Sequence, residues 1–177
     1  MKPRVKWVCA ILLAACGALG AFAQPAPAFP PISGTDLNGR SLMFPADFST
    51  PCSLVLIPFD MHQQADVDSW RGFVQDARKA HPSLAVFELP TIARGLRVIQ
   101  FLIANGMRSG IPDRATRAAT VPVFTDVAAF ARDLGVPTTR EMVVLVVAPS
   151  GGILARATGR YAADGAASIE RVLNAVP

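Results

Sequence analysis

The fold is decided by the stretch Ser53-Leu-Val-Leu-Ile-Pro-Phe-Asp-Met-His-Gln-Gln-Ala-Asp-Val-Asp-Ser-Trp-Arg-Gly-Phe73. Leu54 to Phe59 is a short, continuous apolar run, which is typical of a strand buried on both faces. Four apolar residues then recur at helical spacing and predict a helix over about 66–80 with one face toward a core: Trp70, Phe73, Val74 and Ala77. In open α/β sheets, function concentrates where such a strand ends. We therefore expect chemistry between Asp60 and Asp66, where the chain has no cysteine.

The first 23 residues have the pattern of an export signal. Lys2, Arg4 and Lys6 precede a short apolar segment, and Ala21-Phe22-Ala23 has the small-residue pattern of a signal-peptidase site before Gln24. Such a leader is typical of chains that leave the cytoplasm. We therefore predict an exported, periplasmic protein.

The rest of the chain is predicted to form one domain. We assign 1–23 to a signal peptide, 24–28 to a spacer and 29–177 to a single domain of ordinary size. The segment Leu13-Ala-Ala-Cys16 also resembles a bacterial lipobox, in which Cys16 would be lipidated and become the first residue. The mature protein is thus expected to be soluble or lipid-anchored, with membrane association only if Cys16 is lipidated.

The charge of the domain argues against nucleic acid as a partner. The whole chain has a formal net charge of +4, and Lys2, Arg4 and Lys6 contribute +3 of it, so that the remainder carries only +1. A strong basic excess is the first feature that a nucleic-acid-binding domain shows. We expect no nucleic-acid partner.

Cysteine usage restricts the redox chemistry. Cys9 and Cys16 lie in the predicted signal, so Cys52 is expected to be the single thiol of the folded domain, whichever peptidase cleaves the leader. One thiol excludes an intramolecular disulfide and a Cys-x-x-Cys exchange site. Cys52 directly precedes the first core strand, where it is either a small, half-buried packing residue or a reactive thiol.

The other elements follow from hydrophobic period and turn residues. They are a hairpin over 32–42 around Asn38-Gly39, whose residues accept positive φ, then strand 84–89, helix 95–105 ended by Gly106, strand 121–124, helix 128–134, strands 142–148 and 153–158, and helix 166–175. The order strand, helix, strand implies that the first two core strands are parallel. The turn Pro149–Gly152 joins the last two strands into an antiparallel hairpin. The helix over 95–105 is expected to bury Leu96, Ile99, Leu102 and Ile103.

This order resembles the thioredoxin-like fold, an α/β fold in three layers with a central mixed sheet, helices on both faces and an N-terminal hairpin. Residues 29–48 (FPPISGTDLNGRSLMFPADF) resemble the opening of peroxiredoxin-type and membrane-tethered thioredoxin-like domains. Residues 121–137 (VPVFTDVAAFARDLGVP) and 142–160 (MVVLVVAPSGGILARATGR) resemble their second half. The resemblance covers roughly residues 29–177.

Within that superfamily, the chain most resembles the mitochondrial ATP synthase assembly-factor family and its bacterial relatives. The residues that carry this resemblance are Asp68-Ser-Trp-Arg-Gly-Phe73, Asn105-Gly-Met-Arg-Ser-Gly-Ile-Pro112 and Gly151-Gly-Ile153. Active members of the superfamily have one or two cysteines where this chain has Asp60 to Asp66. They also have a cis-proline before the strand that begins here near Met142, where this chain has Thr139-Arg140-Glu141. The resemblance therefore implies a redox-inactive module.

Other chemistry at the strand end has weak candidates. Asp60, His62 and Asp66 are expected to lie within one turn of the strand end, which is compatible with a metal site or a general base. Aspartates that open a helix are, however, ordinary caps that suit the helix dipole. The other histidine, His81, is expected to lie at the end of the helix beside Pro82. We predict no metal and no cofactor.

An arginine-rich segment is the candidate partner surface. On a helix, Arg94, Arg97 and Phe101 fall on one side, and Arg108 follows in the next loop. A solvated face is the alternative interpretation, but an aromatic ring among arginines has the composition of an interface anchor. The predicted partner is a protein of the cell envelope or membrane.

Two hypotheses about function remain from the sequence. The first is a redox-inactive, protein-binding module of the bacterial cell envelope that acts as an assembly factor. The second is a divergent thiol-dependent oxidoreductase or peroxidase that uses Cys52. Since Cys52 precedes the core strand, it stands at the wrong end of that strand for a nucleophile at a helix N-terminus.

Overall fold

The computed structural model describes residues 27–95 and 97–176, and it leaves the side chain of Arg97 undescribed. The predicted signal peptide 1–23, including Cys16, lies outside the described residues, as does Leu96. The described residues begin inside the predicted spacer and include its junction with the domain, at residues 27–29. There, Phe29 N–H donates to the Gly151 carbonyl at 2.8 Å and ties the start of the domain to the last hairpin.

The strands of the central sheet are β3 (Ser53–Ile57), β4 (Ala85–Glu88), β7 (Val143–Val147) and β8 (Ile153–Thr158). They lie in the order β4-β3-β7-β8. β3 pairs with β4 in parallel and with β7 antiparallel, and β7 pairs with β8 antiparallel. The predicted parallel pair and the predicted terminal hairpin are both confirmed.

The helices of the described residues are α1 (Gln64–Ser69), α2 (Arg71–Ala80), α3 (Arg97–Gly110), α4 (Arg114–Ala119), α5 (Val127–Asp133) and α6 (Ala163–Ala175). The predicted helix over 66–80 is therefore two helices, because the chain has non-ideal helical dihedrals at Trp70, with ψ at −8°. The helix α4 was not predicted. Across this part of the chain, no helix has the length and apolar character needed to cross a membrane.

Successive side chains of β3 point to opposite faces of the sheet, so that the core consists of two clusters with the sheet between them. Leu54 and Leu56 pack on one face with residues of α1, α2 and α6, whereas Val55 and Ile57 pack on the other face with the N-terminal hairpin and α5. All four side chains are buried. A strand covered on both faces has no polar side, which explains the continuous apolar run in the sequence. The three-layer α/β architecture is confirmed.

The N-terminal hairpin differs from the prediction at its turn. β1 (Ile32–Thr35) pairs antiparallel with β2 (Ser41–Phe44), and Gly39 has φ at +95°. Asn38 has a negative φ, so the expected turn with two positive values is wrong. Instead, the Asp36 carboxylate accepts hydrogen bonds from the backbone N–H groups of Asn38 and Arg40, at 2.8 and 2.9 Å. This Asx-type arrangement closes a longer loop.

A second small sheet lies beside the hairpin. β5 (Thr91–Ala93) pairs in parallel with β6 (Val123–Thr125). The strand predicted over 121–124 corresponds to β6, whereas β5 was missed. Three residues are too few to show a period of two, so the sequence carried little signal for β5.

The helix α3 corrects two predictions. It continues through Gly106 to Gly110 rather than ending at Gly106. Ile99 and Leu102, which were expected in the core, are 48% and 62% exposed. The half-buried stripe is instead Gln100, Ile103, Ala104 and Met107, because a longer helix brings Met107 into the packing line.

Candidate functional site

The carboxyl end of β3 leads directly into the turn at which α1 begins. The Asp60 carboxylate accepts a hydrogen bond from the His62 backbone N–H at 2.8 Å and contacts His62 Nδ1 at 2.6 Å. These bonds lower the pKa of Asp60, the backbone bond contributing most. Both side chains are exposed, and Asp66 lies further along, in the first turn of α1. Asp60 therefore acts as an N-cap of the turn that precedes α1, in agreement with the cap interpretation.

The buried residue of this turn is Gln63, which was not singled out from the sequence. Its Oε1 accepts a hydrogen bond from the Phe59 N–H at 2.7 Å, and its Nε2 donates to the Thr139 carbonyl at 2.9 Å. Gln63 thus joins the end of β3 to the loop before β7. A glutamine in a polar turn carries no sequence signal of such a role, because the partner is distant in the chain.

The loop before β7, which the structure describes throughout, contains no cis peptide bond. Thr139-Arg140-Glu141 precedes the buried Met142, as the sequence predicted. The peptide bond before Pro137 is trans, since Phe44–Pro45 is the cis bond of the described residues. At the strand end, the Gln63 side-chain amide donates to the Thr139 carbonyl of this loop.

Cys52 lies at the opposite end of β3. Its side chain is 7% exposed and packs in the cluster beneath α2 and α6. Burial raises the pKa of the thiol, so less thiolate is present near neutral pH than on a free cysteine. Cys52 is six residue steps from Pro58, the first residue after β3, which is roughly 20 Å at the rise of a strand. The packing interpretation of Cys52 fits this position.

The weak metal candidates do not form a larger cluster. Within residues 27–95 and 97–176, no group of three or more histidine, cysteine, aspartate or glutamate side chains is placed to hold a metal ion. Asp60 and His62 form an exposed pair only. The structure places His81 at the C-cap of α2, as predicted.

The predicted partner surface is only partly brought together. Phe101 is 64% exposed and lines, with Arg108, a groove of about 870 Å³ between α3 and the hairpin β1–β2. We call this the hairpin groove, and its other lining side chains include Met43 and Phe124. Arg94 lines a separate cavity beside β6, and the Arg97 side chain is not described. Met43, 67% exposed, was missed because its strand alternation gave no reason to prefer it to other exposed residues.

The charge of Arg108 is unneutralised in the groove. No ion pair joins Arg108 to any residue that the structure describes. The nearby acid of the groove, Asp36, is buried and its carboxylate already accepts two backbone hydrogen bonds. The hairpin groove therefore presents aromatic and apolar surface together with a free guanidinium group.

Solved structures show the fold of the chain. It aligns with the thioredoxin domain of a thiol-disulfide oxidoreductase from Bacteroides vulgatus with a TM-score of 0.53 at 16% identity, covering 86% of this chain and 100% of that one. The exposed lipoprotein thioredoxin of Streptococcus pneumoniae gives 0.54 at 11% identity, covering 82% and 99%. A proposed thiol:disulfide interchange protein DsbE from Chlorobium tepidum gives 0.53 at 14% identity, covering 86% and 97%. No protein-family model matches the chain, and the search of curated proteins found no match.

At these identities the likeness establishes architecture rather than activity. The chain has a thioredoxin-like fold, and the predicted fold class is confirmed.

Proposed function

We propose that this protein is a redox-inactive, thioredoxin-like module of the cell envelope that binds another protein, in the manner of an assembly factor. The observation that carries the proposal is the exposed Phe101, which shares the hairpin groove with Arg108. Interfaces are enriched in aromatic and arginine anchors relative to other surfaces. The groove accordingly suits an amphipathic segment that carries an acidic residue.

The site chemistry supports a binding role over a thiol enzyme. A reductase cycle needs a second thiol to resolve a mixed disulfide, and a nucleophilic thiol must reach its substrate. Cys52 is buried, has a raised pKa and lies away from the helix start. The turn at that start contains a cap, Asp60, and a structural amide, Gln63.

Location in the envelope is part of the proposal. Its support is the export-type leader over residues 1–23, which lies outside the described residues, and the lipobox-like segment at Cys16. One structural neighbour is itself described as an exposed lipoprotein. The resemblance of Asp68–Phe73 and Asn105–Pro112 to the ATP synthase assembly-factor family supports the assembly role.

We expect the double variant Phe101→Ala, Arg108→Glu to lose partner capture. Loss of an aromatic anchor and reversal of its neighbouring charge should lower the crosslinked yield from envelope membranes more than about tenfold. The melting temperature should be nearly unchanged, because both side chains are exposed. Capture by the unchanged protein should also weaken as salt is raised, since exposed charges are screened beyond about 8–10 Å.

The matched control makes the same two kinds of change elsewhere. Leu154→Ala with Arg171→Glu alters an exposed apolar residue on β8 and an exposed arginine on α6. Neither lines the hairpin groove. Capture should persist in this control; equal capture by both double variants would show that the groove is an ordinary solvated face.

A second prediction concerns the thiol. In the folded protein, Cys52 should react with a disulfide reagent far more slowly than in guanidinium, and the rise of its reactivity with pH should come at a higher pH than in guanidinium, because burial raises the thiol pKa. Insulin reduction and peroxide turnover should equal the no-enzyme background. Cys52→Ala should retain partner capture. Rapid modification at neutral pH, with turnover that this substitution abolishes, would establish the thiol enzyme instead.

A further inference from the structure

A second cavity, on the other face of the sheet from the hairpin groove, has the make-up of a ligand site. It encloses about 490 Å³ between α1 and α2 on one side and the end of α3 with α4 on the other. Apolar side chains form much of its wall, among them Leu56, Val67, Val86 and Ile111. The volume lies in the range of small-ligand pockets, and the lining combines these apolar side chains with polar and charged ones.

One carboxylate of the lining has no partner among the described residues. Glu88 ends β4 on the same strand face as Val86 and lines the cavity. Its side chain is half-buried, and no ion pair or hydrogen bond joins its carboxylate to a described residue. By contrast, every fully buried side-chain polar atom of the described residues has a partner. The Glu88 carboxylate thus lines the cavity without a partner among the described residues.

The neighbouring charges leave the Glu88 end of the cavity negative. Asp68 and Arg71 also line it and pair with each other at 2.7 Å, so that together they are neutral. Arg78 is a further cation of the lining, but it lies about 10 Å along α2 from Arg71 at the helical rise per residue. The lining residues on α3 and α4 include no charged side chain.

The ionised carboxylate is disfavoured without a counter-ion. Burial raises the pKa of Glu88, the nearby Asp68 carboxylate raises it further, and Arg71 lowers it only in part. A cation held against Glu88 would reverse this, because an opposite charge within a few ångströms favours the ionised form. Apolar walls around that cation would suit an alkyl stem.

We propose that this cavity binds an alkylammonium or alkylguanidinium group, with Glu88 as the counter-ion and the apolar wall around the alkyl chain. The chemistry is shared by free organic amines and by the lysine or arginine side chains of a bound protein. The site is separate from the hairpin groove, so it does not depend on the proposed partner-binding role.

The test uses the purified mature protein and n-pentylamine, with n-pentanol as an uncharged probe of similar shape. We expect the amine, but not the alcohol, to raise the melting temperature and to shift amide resonances of β4 and α2. Glu88→Gln, which keeps the shape and removes the charge, should weaken amine binding by about tenfold or more. Glu170→Gln, on an exposed glutamate of α6, is the matched control and should bind as the unchanged protein does.

The pH dependence gives a second measurement on the same protein. Pentylamine stays cationic below about pH 10, as lysine does, whereas Glu88 ionises only above its raised pKa. Binding should therefore strengthen as the pH rises through that pKa. Binding that is equal in Glu88→Gln, or no binding of pentylamine at millimolar concentration, would overturn the proposal.

The source of the group is decided by two further probes. Stronger binding of a backbone-blocked lysine than of pentylamine, lost in Glu88→Gln, would support a protein side chain as the natural ligand. Stronger binding of 1,5-diaminopentane, with the same loss, would support a free amine. The partner-capture experiment tests the hairpin groove, with variants that do not alter the Glu88 cavity. A failure of partner capture and a failure of amine binding can therefore be told apart.

Discussion

Replacing Trp70 with alanine should lower the free energy of unfolding by about 3–5 kcal/mol, the range of large-to-small core changes at aromatic residues. Trp70 is 1% exposed and lies edge-on to Phe73 and Tyr161, with ring centroids 5.6 and 5.3 Å away. Its Nε1–H donates to the Gly159 carbonyl at 3.0 Å. Trp70 is the cap residue between α1 and α2, so the loss of its buried ring removes a contact that holds both helices on the sheet. Urea unfolding followed by far-UV circular dichroism measures the change.

Two companion variants separate the contributions at this position. Trp70→Phe keeps an aromatic ring but leaves the Gly159 carbonyl without its donor, which should cost about 1–3 kcal/mol. Tyr161→Ala removes a neighbour that is 42% exposed and should cost less than Trp70→Ala. A loss below about 1 kcal/mol in Trp70→Ala would contradict the packing of α2 on the sheet, because fully buried aromatic residues rarely contribute so little.

The core strands were predictable because burial determines their sequence. β3 and β7 are covered on both faces, so almost every residue in them is apolar and the signal survives without homologues. The stripe of Trp70, Phe73, Val74 and Ala77 was predictable for the same reason, since one face of α2 packs on that sheet. Apolar runs and apolar helical stripes of this kind indicate which residues are buried, without any information on tertiary contacts.

The orientation of α3 was not predictable, because its sequence is apolar on more than one face. Val98, Phe101 and Leu102 are exposed, whereas the packed stripe includes the polar Gln100 and the small Ala104. Periodicity selects the most apolar face, and here that face is not the one toward the domain. The residues that the helix leaves exposed are thus those that make it a candidate binding surface.

The candidate sites were harder to predict than the fold, because their residues act through partners that are remote in the chain. Gln63 meets the Thr139 carbonyl across 76 positions of sequence. Glu88 became conspicuous only when the structure enclosed it in an apolar cavity without a counter-ion. In contrast, the absence of a thiol between Asp60 and Asp66 was visible in the sequence, since it needed no tertiary information.

Gln63→Leu is the second substitution expected to have a large effect. It keeps the approximate volume of the side chain but leaves the Phe59 N–H and the Thr139 carbonyl without their partners. The Phe59 N–H is buried, and leaving it unsatisfied costs about 1–3 kcal/mol, whereas the part-buried Thr139 carbonyl adds about 1 kcal/mol, so the free energy of unfolding should fall by about 2–4 kcal/mol. Gln64→Leu is the control. Its side chain is exposed and makes only a long contact, 3.4 Å, with Asp68, so a change below about 0.5 kcal/mol is expected.

Gln63→Glu tests the same bridge through pH. A protonated carboxyl can accept from Phe59 and donate to Thr139, as the amide does, whereas a carboxylate can only accept. The folded state therefore favours the protonated form, and its pKa should lie above the value of about 4.3 for an unfolded glutamate. Because the folded state then binds the extra proton, the variant should be most stable below the unfolded pKa and lose stability as the pH rises through the folded one.

Denaturant titrations at several pH values, compared with the unchanged protein, measure this difference. A variant whose stability relative to the unchanged protein does not fall with pH would show that the turn and the loop before β7 are not joined through residue 63. If they are joined, the Gln63 amide holds the carboxyl end of β3 against the loop before β7.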